Sequence, residues 1–468
     1  MLAAAGNAQA SYPLTPDSLC GSSRTCRTVV NQWNDASWGD LVDDSFQTGA
    51  PPLAAVRHYT TEGSCTGTLC SGEAATLPGK TIDLPNSRFV GVTDEFSNVL
   101  LNHSIGSDED RFEKLRNFAE MLRLPSINNL QCWKYYVDGD QAYSSGSQLC
   151  VEQDSASDAS LRILGAYGIA CARQRSGSWA RTGRPDYCAD YVRQGNAIWG
   201  IGSATHGEIK KLANGQYYLA NGYNNQVAAP TNTDAFRPDY YELQFLMDFA
   251  EYIGDSALIT GVVDMMRDYV VATGTNRVHC GKTGHFDQQT TVYFCDQLCS
   301  PPYLDNIDTW RAVPALSGFR AVHGDRVSVD VTSTIFDQWW LLYGGGNASY
   351  GYSSAKPFEI YCNASDGQVK QTEESYKTLG MWIPLAAAYD HPYARNAVGF
   401  LTDQKYDWTL GRFYGAAYFG GYFSQFAQRA IGVSTGMIDP ATYPPTVIFA
   451  DGFEQVQTLP GRWESQAP

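Results

Sequence analysis

Apolar side chains recur at helical spacing along most of the chain, and long polar segments separate these stretches. In one of them Phe112, Leu115, Phe118 and Leu122 lie three or four residues apart, which is the spacing of one face of an α-helix. The alternation that marks a β-strand is weak, and its best short case is residues 326–330. The pattern therefore predicts an all-α protein of successive helix pairs joined by long loops.

Carboxylates stand at the starts of several predicted helices. Asp94 and Glu95 precede an apolar run, and Asp158 follows Ser157 at the start of another helix, where either side chain could form the N-cap. A carboxylate in a first turn lies near the positive end of the helix dipole and can point into whatever the helix lines. Capping alone is the simpler interpretation of each position, so a functional role depends on the neighbouring residues.

The remaining helical stretches complete the pattern. They begin near residues 237, 258, 335, 379 and 413, and Gly254 separates the first two. Trp179 and Trp199 fall in a predicted loop. Helix pairs that each bury one face most simply close into a ring, so we expect a toroid whose inner helix starts meet at a central cleft.

The texture of the sequence divides the chain into four parts. Residues 1–10 end in Ala8-Gln9-Ala10, which has the form of a signal-peptidase site and indicates a signal-peptide remnant or tag. Residues 11–90 are rich in Gly, Ser, Thr and Pro with short cysteine loops, which predicts an irregular region packed on the body. Residues 91–435 carry the helices, and 436–468 form a polar tail.

Charge and composition narrow the possible partners. The formal net charge of the 468 residues is -16, and no cluster of Lys and Arg reverses it, so nucleic acid and anionic membranes are excluded as partners. No stretch approaches the roughly eighteen apolar residues that a membrane-spanning helix needs. Aromatic residues make up 13% of the chain. Their rings could fill the core or line a groove on which sugar faces stack, and we expect a monomer that binds a polysaccharide.

Twelve cysteines and seven histidines favour disulfides over metal binding. No Cys-x-x-Cys pair with zinc spacing stands out, and we expect neither a metal nor a cofactor. Neighbouring cysteines suggest the pairs 20/26, 65/70, 132/150, 171/188 and 280/295, which leaves 299/362. Disulfides and the processing-site pattern together predict a secreted protein. Glycosylation sequons stand at Asn102, Asn347 and Asn363.

Carboxylates at helix starts facing one cleft are the groups that glycosidic hydrolysis needs. One carboxyl gives the leaving oxygen its proton, and the other stays ionised to activate water or to attack the sugar. The candidates by position are Glu95, Asp158, Asp239, Asp305 and Asp308.

Three segments, in the same order along the chain, resemble glycoside hydrolase family 8. Asp-Glu-Phe-Ser-Asn at 94–98, followed by Gly-Ser-Asp-Glu-Asp-Arg-Phe at 106–112, is similar to the Ser-Glu-Gly segment of the family and the helix after it. Trp133 with Ser-Ala-Ser-Asp-Ala-Ser-Leu at 155–161 is similar to the family's Trp and its Ala-Thr-Asp-Gly-Asp-Leu signature. Ile-Asp-Thr-Trp-Arg at 307–311 is similar to its Tyr-Asp-Ala-x-Arg segment.

The resemblance implies an (α/α)6 toroid and an inverting hydrolase. It implies Glu95 as the general acid, Asp308 as the base that activates water, and Asp158 as the residue that holds the sugar at the cleavage point. Arg311 would orient Asp308. Inversion would require roughly 6.5–9.5 Å between the two catalytic carboxyls, which leaves room for a water. Asp308 and Arg311 also fit a surface ion pair, since they lie three residues apart.

Aromatic residues supply the remaining substrate-binding candidates. A weaker match, Phe-Arg-Pro-Asp-Tyr-Tyr at 236–241, is similar to a family run that ends in two tyrosines and points to Tyr240 and Tyr241. Trp133 and Trp199 are candidate sugar platforms, although tryptophans more often lie in the core.

Four positions depart from the family pattern. Phe96 stands where the family has Gly, Val99-Leu100 replaces Tyr-Gly, Ser160 replaces the second Asp of the signature, and Ile307 replaces Tyr. These positions are expected to shape the subsite beside the acid. The departures indicate either a divergent substrate or a relative that has lost catalysis.

The sequence as a whole predicts a hydrolase that cuts internal β-1,4 bonds of a polysaccharide. A cellulose-type glucan is the first choice, with chitosan or xylan next. Chitosan is included because an acidic surface would attract a cationic chain. Two alternatives stay open. One is a polysaccharide lyase with His206, His285 or His391 in proton transfer, and the other is a non-catalytic carbohydrate-binding protein on the same fold.

Overall fold

The structure is a computed structural model of the chain. It describes residues 32, 34–35, 38, 42–44, 51–56, 81–83, 88–106, 108–136, 146–180, 182–202, 207–211, 217–220, 222–223, 243–265, 358–362, 369–374, 406–407 and 412–413.

The first two helices differ in how many of their faces are buried. α1 (Thr93–Ile105) is buried on nearly every side, whereas α2 (Glu109–Met121) buries one face that carries Phe112, Leu115 and Phe118. A helix that is buried all round belongs to the interior of a protein, and an amphipathic helix belongs to its surface. α1 is therefore an inner helix and α2 an outer one. The single apolar face of α2 is the one that the spacing of its apolar residues predicted.

The following helices repeat this alternation. α3 (Ser157–Ser176) is buried along almost its whole length and packs against α1, while α4 (Tyr187–Trp199) buries one face against α3. α5 (Leu243–Ile253) packs against α3 and α4, and helical residues 256–265 follow the break at Gly254. The predicted helices that contain residues 161–171, 243–250 and 258–265 and the predicted break are thus confirmed, whereas α4 lies where the sequence pattern predicted a loop.

Two glycines allow α5 to approach its neighbours closely. A Cβ atom at Gly165 of α3 would lie 2.5 Å from the ring of Phe245, and one at Gly195 of α4 would lie 2.3 Å from the ring of Phe249. Both rings belong to α5 and are nearly fully buried. A larger residue at Gly165 would push α5 away from α3, and one at Gly195 would push it away from α4, because interiors are close-packed.

Short antiparallel strands, which the sequence pattern did not predict, accompany the helices. One sheet has the order β3-β4-β7-β8, formed by Thr81–Asp83, Arg88–Val92, Lys134–Tyr136 and Cys150–Glu152. The other strands form two-stranded pairs: β1/β2 (Val42–Asp43, Ala55–Val56), β5/β6 (Arg123–Leu124, Leu130–Gln131), β9/β10 (Ile209–Lys211, Tyr217–Leu219), β11/β12 (Phe358–Cys362, Val369–Glu374) and β13/β14 (Tyr406–Asp407, Arg412–Phe413). Runs of two to six residues are too short for alternation to stand out.

Two predicted disulfides are confirmed. Cys132 is bonded to Cys150, and Cys171 to Cys188. The first ties the chain just before β7 to the first residue of β8, and the second ties α3 to the start of α4. Each of the other four predicted pairs has at least one cysteine outside the described residues, and the best predicted strand at 326–330 also lies outside them.

Described residues before α1 contact the helices at several points. The Tyr135 hydroxyl donates to the carbonyl oxygen of Val56 at 2.8 Å, and Lys114 pairs with Asp44 at 3.1 Å. Trp38 places its ring edge-on to His103, with 5.4 Å between the ring centroids.

The division of the chain at residues 10, 90 and 435 stays a prediction. Within the described ranges, no helix is long and apolar enough to cross a membrane.

Asn102, the first glycosylation sequon, lies inside the fold. It belongs to α1 and is 2% exposed, and its main-chain carbonyl accepts from the Asn34 amide at 3.1 Å. A glycan cannot reach this side chain in the folded protein.

Candidate active site

The first turn of α1 holds the predicted acid. Val92 ends β4 and immediately precedes α1, so the sheet fixes where Asp94 and Glu95 begin. The Ser97 hydroxyl and the Asn98 amide both donate to the main-chain carbonyl of Asp94 at 2.8 Å. Glu95 is 5% exposed, and the side chain of Asp94 is 21% exposed.

Tyr135 of the neighbouring strand lies close enough to Glu95 to respond to its charge. Burial, and then the charge of Glu95, raise the pKa of the Tyr135 hydroxyl well above its usual range. Tyr135 therefore stays neutral and acts as a buried anchor beneath the first turn of α1.

Arg162 of α3 joins the starts of the two inner helices. Its guanidinium pairs with Asp94 through Nη1 and with Asp158 through Nη2, the latter at 3.1 Å. The side chains of Arg162 and Asp158 are 3% and 2% exposed. Buried charges are costly unless they are paired, so this three-residue ion network holds the first turn of α3 against the first turn of α1.

The predicted cap at the start of α3 is wrong. The N-cap residue is Ala156, which has no side chain that can accept a hydrogen bond, and Asp158 is instead paired with Arg162. The Ser157 hydroxyl donates to the carbonyl oxygen of Ala220. Asp158 is thus oriented by a cation from its own helix, four residues later, and not by the backbone of its own first turn.

Trp133 lies between the two helix starts. Its carbonyl accepts from the Thr93 backbone amide at 2.8 Å, and its own amide donates to the Asp154 carbonyl at 2.8 Å. The indole is half-buried, and its N–H donates to Glu152 at 2.7 Å. The residue therefore has an exposed ring portion beside both predicted site segments.

Trp199 is placed differently from the prediction. It is the last residue of α4 and does not lie in a loop. The residue is 9% exposed, and the edge of the Tyr217 ring packs against it with 6.1 Å between the ring centroids. Trp199 is thus buried at the end of α4, and its role as a sugar platform stays a prediction.

Two of the positions that depart from the family pattern are buried in the structure. Phe96 is fully buried and packs against Phe118 and Tyr135, with centroid separations of 5.7 Å and 6.1 Å. Ser160 is 2% exposed, and its hydroxyl donates to Glu208 at 2.9 Å. Both side chains point into the packed interior, and the effect of these two positions on the subsite beside the acid stays a prediction.

Glu208 is a buried carboxyl that the sequence pattern did not single out. Burial raises its pKa to about 7, although hydrogen bonds from Ser155 and Ser160 and the charge of Lys210 act in the opposite direction. No motif surrounds it in the sequence. The missed Arg162 did have a signal, since an Asp and an Arg four residues apart on a helix form a favourable pair.

Several predicted site residues lie outside the described residues. They are Asp239, Tyr240, Tyr241, Asp305, Asp308 and Arg311. The separation between the Glu95 and Asp308 carboxyls therefore stays a prediction. Among the described residues, no group of three or more His, Cys, Asp or Glu could hold a metal ion.

Solved structures share the overall fold of the chain. It is similar to a β-1,3-1,4-glucanase from Paenibacillus sp. X4, with 13% identity over 91% of this chain and 98% of that one, and a TM-score of 0.56. A cold-adapted family 8 xylanase matches with 13% identity over 88% and 91% and a TM-score of 0.53. An α-amylase from Clostridium perfringens matches with 12% identity over 89% and 99% and a TM-score of 0.52. No protein-family model and no curated protein matches the chain.

The class of fold follows from these matches. The chain has the all-α, (α/α)6 toroidal fold of glycoside hydrolase family 8. The resemblance carried by the short motifs is thereby confirmed at the level of the fold. Activity is a separate question, because one fold hosts different chemistries.

Proposed function

We propose that the protein is a secreted, divergent member of glycoside hydrolase family 8 that cleaves internal β-1,4 bonds of a polysaccharide with inversion. One observation carries the proposal: Arg162 binds Asp94 and Asp158, so that the starts of two inner helices are held together beside Glu95. Glycosidic hydrolysis needs carboxyls that face one bond, and helix starts held together in this way can present them to a common cleft.

In the proposed mechanism each carboxylate has one task. Glu95 donates a proton to the leaving glycosidic oxygen. Asp308, oriented by Arg311, removes a proton from a water on the opposite face of the sugar, and that water attacks the anomeric carbon. Asp158, held in one orientation by Arg162, binds the sugar at the cleavage point and favours its distortion. Trp133, Tyr240 and Tyr241 hold neighbouring sugars through their ring faces.

A cellulose-type glucan is the first-choice substrate, and chitosan is next. The two described helix starts carry the carboxyls of Asp94, Glu95 and Asp158 against the single guanidinium of Arg162. An excess of negative charge favours a cationic chain over an anionic one. Xylan follows, and starch belongs in the comparison because an α-amylase shares the fold.

Two alternatives to this proposal are separated from it by experiment. A non-catalytic binding protein was suggested by the loss of Gly at position 96, and Phe96, which stands there, packs in the core against Phe118. A lyase needs a histidine or tyrosine in proton transfer. His103 is fully buried, and burial followed by the charge of Arg111 lowers its pKa to about 3. His206, His285 and His391 lie outside the described residues.

Secretion and a monomeric state are part of the proposal. The disulfides Cys132–Cys150 and Cys171–Cys188 support an oxidising compartment.

A substrate screen followed by one variant tests the proposal. Carboxymethyl cellulose, lichenan, chitosan, xylan and starch are incubated with the protein, and new reducing ends are measured alongside absorbance from unsaturated products. We expect reducing ends without new absorbance, and NMR of the first products should show the inverted anomer. Unsaturated products would establish the lyase, and binding without release of reducing ends would establish the non-catalytic relative.

Asp308→Ala then examines the assigned base. The variant should bind substrate and lose nearly all hydrolysis, and added azide should restore part of the turnover by attacking from the same face as the missing water. Asp305→Ala is the matched control and should keep most activity. The opposite pattern between the two variants would move the base to Asp305.

A further inference from the structure

A fully buried carboxyl, Glu208, lies against the start of α3. Its Oε1 atom accepts hydrogen bonds from the Ser155 hydroxyl at 2.6 Å and from the Ser160 hydroxyl at 2.9 Å. The Ser155 oxygen itself accepts from the Tyr223 amide at 2.9 Å, so its hydroxyl proton is directed to Glu208. The residue is 0% exposed and directly precedes β9.

Ser155 and Ser160 lie on either side of Asp158 in the sequence. Ser155 lies two residues before α3, Ser160 is in its first turn, and Asp158 lies between them. Because one oxygen atom receives both hydroxyls, the chain before the helix and the first helical turn cannot move independently. α3 has no side-chain N-cap that would otherwise fix its start.

The charged groups around Glu208 belong to few elements. Lys210 of β9 lies on one side and is held by the carbonyl oxygens of Gly207 at 2.7 Å and Tyr223 at 3.1 Å. Asp154, which precedes Ser155, is the other charged group that acts on Glu208. The second carboxyl oxygen, Oε2, is buried and has no hydrogen-bond partner among the residues that the structure describes.

Burial of a carboxyl at the position of Glu208 is unfavourable in free energy. Burying it away from water costs several kcal/mol in general, and a neutral amide or a third serine could accept or donate with less penalty. Retention of a titratable group with an unsatisfied oxygen therefore calls for a role beyond packing.

We propose that Glu208 is a positioning residue for Asp158, which it serves by holding Ser155 and Ser160 and thereby the first turn of α3. The inference rests on the proposed function for the role of Asp158 in binding the sugar. Arg162 of α3 holds the Asp158 carboxylate, and Glu208, which directly precedes β9, holds the hydroxyls of Ser155 and Ser160 on either side of Asp158.

Three variants of the full-length protein examine this. Glu208→Ala removes the acceptor, Glu208→Gln keeps an oxygen that can accept from both serines, and Glu120→Ala is the matched control. Glu120 also accepts from α3, through the Tyr167 hydroxyl at 2.8 Å, but nine residues beyond Asp158. Hydrogen exchange of the amides of residues 157–161 and steady-state kinetics are measured for each.

Glu208→Ala should speed exchange at 157–161 about tenfold or more and lower kcat by roughly tenfold to a hundredfold, with a smaller change in KM, because small misplacements of a site residue are costly. Glu208→Gln should recover both quantities to within about threefold of the unaltered protein. Glu120→Ala should lower the melting temperature without either effect.

The outcomes separate the inference from the proposed function. Loss of stability in Glu208→Ala with normal exchange at 157–161 and normal kcat would overturn the positioning role. If the unaltered protein cleaves no polysaccharide, the proposed function fails, and the exchange pattern of the variants still decides whether Glu208 fixes the start of α3.

Discussion

The inner and outer helices begin in different ways. The outer helices α2 and α4 start with capping aspartates: Asp108 accepts from the Arg111 amide at 3.0 Å, and Asp186 accepts from the amides of Cys188 and Ala189 at 3.0 Å and 3.1 Å. The inner helices α1 and α3 follow Val92 and Ala156, and neither has a side-chain cap. Their starts are fixed from outside, by a sheet in one case and by Glu208 in the other.

This difference separates stability from function. A capping aspartate binds the backbone amides of its own helix start. Asp94, Glu95 and Asp158 instead lie one or two positions inside an uncapped helix, where the carboxylates of Asp94 and Asp158 pair with Arg162. Sites where local sequence rules are broken are often functional ones. Four experiments compare the two kinds of helix start.

The largest effect is expected at the predicted acid. Glu95→Gln keeps the shape of the side chain but holds no transferable proton, and loss of general-acid help typically costs about 10²–10⁴-fold in rate. Turnover of a natural polysaccharide is the measurement. Asp186→Ala at an outer helix start is the control and should keep its activity. Near-normal turnover in Glu95→Gln would remove the assignment.

The next effect concerns the buried ion network between the inner helices. Arg162→Met leaves Asp94 and Asp158 without their shared cation, and breaking a buried pair from one side costs about 3–5 kcal/mol of unfolding free energy. Arg116→Met is the matched change between outer helices, because Arg116 pairs with Asp190 at 2.6 Å.

Both arginine variants should lower the midpoint of urea unfolding. Only Arg162→Met should also lower kcat/KM when both are assayed under conditions where they remain folded. Equal loss of activity in the two would indicate that Arg162 serves stability alone.

A smaller effect is expected from the titration of Glu208. Its pKa is raised from an ordinary 4.5 to about 7, so the unfolded chain releases this proton at lower pH than the folded protein does. Between pH 5 and pH 7 the unfolded state therefore binds fewer protons, and stability falls by about 2 kcal/mol as pH rises. Glu208→Gln should remove this decline, measured as unfolding free energy at the two pH values.

The titration of His103 changes the unfolding free energy with pH in the opposite direction. The effect of Glu208 must therefore be taken as the difference between the unaltered protein and Glu208→Gln. Its pKa is lowered from 6.5 to about 3, so its contribution to stability is lost as pH falls from about 6.5 towards 3. A decline from pH 5 to pH 7 that is the same in both proteins would show that Glu208 does not cause it.

The smallest effect belongs to the outer caps. Asp108→Ala should cost about 1 kcal/mol of unfolding free energy, the usual value for a lost N-cap. Its kcat and KM should stay unchanged, because Asp108 serves the start of α2 only. A large loss of activity would contradict the separation between inner and outer helix starts.

The same contrast explains how much could be predicted from the sequence. The apolar face of α2 and the break at Gly254 are local patterns, and both were predicted. The Cys132–Cys150 and Cys171–Cys188 pairs were predictable because each closes a short stretch of chain, of 18 and 17 residues. The fold class followed from period and from family resemblance.

Long-range contacts were not predictable in the same way. Glu208 meets Ser155 across 53 residues, and no local pattern indicates such a contact. Position 96 was interpreted through the family's Gly, but the direction of the Phe96 side chain depends on Phe118 and Tyr135 beneath it. The short strands were not predicted, because their formation depends on contacts with the neighbouring strand more than on their own residues.

The burial of Asn102 has a consequence for producing the protein. Its sequon is readable only while the chain is unfolded, and an oligosaccharide attached then would have to occupy space that α1 fills in the finished core. In a host that modifies sequons during translocation we expect modified chains to be retained or degraded, with a yield that improves in Ser104→Ala. Ser104→Ala has its own cost, because Ser104 is buried and donates to the Leu101 carbonyl at 2.6 Å. A bacterial host that exports the unaltered chain avoids both the glycan on Asn102 and the loss of this hydrogen bond.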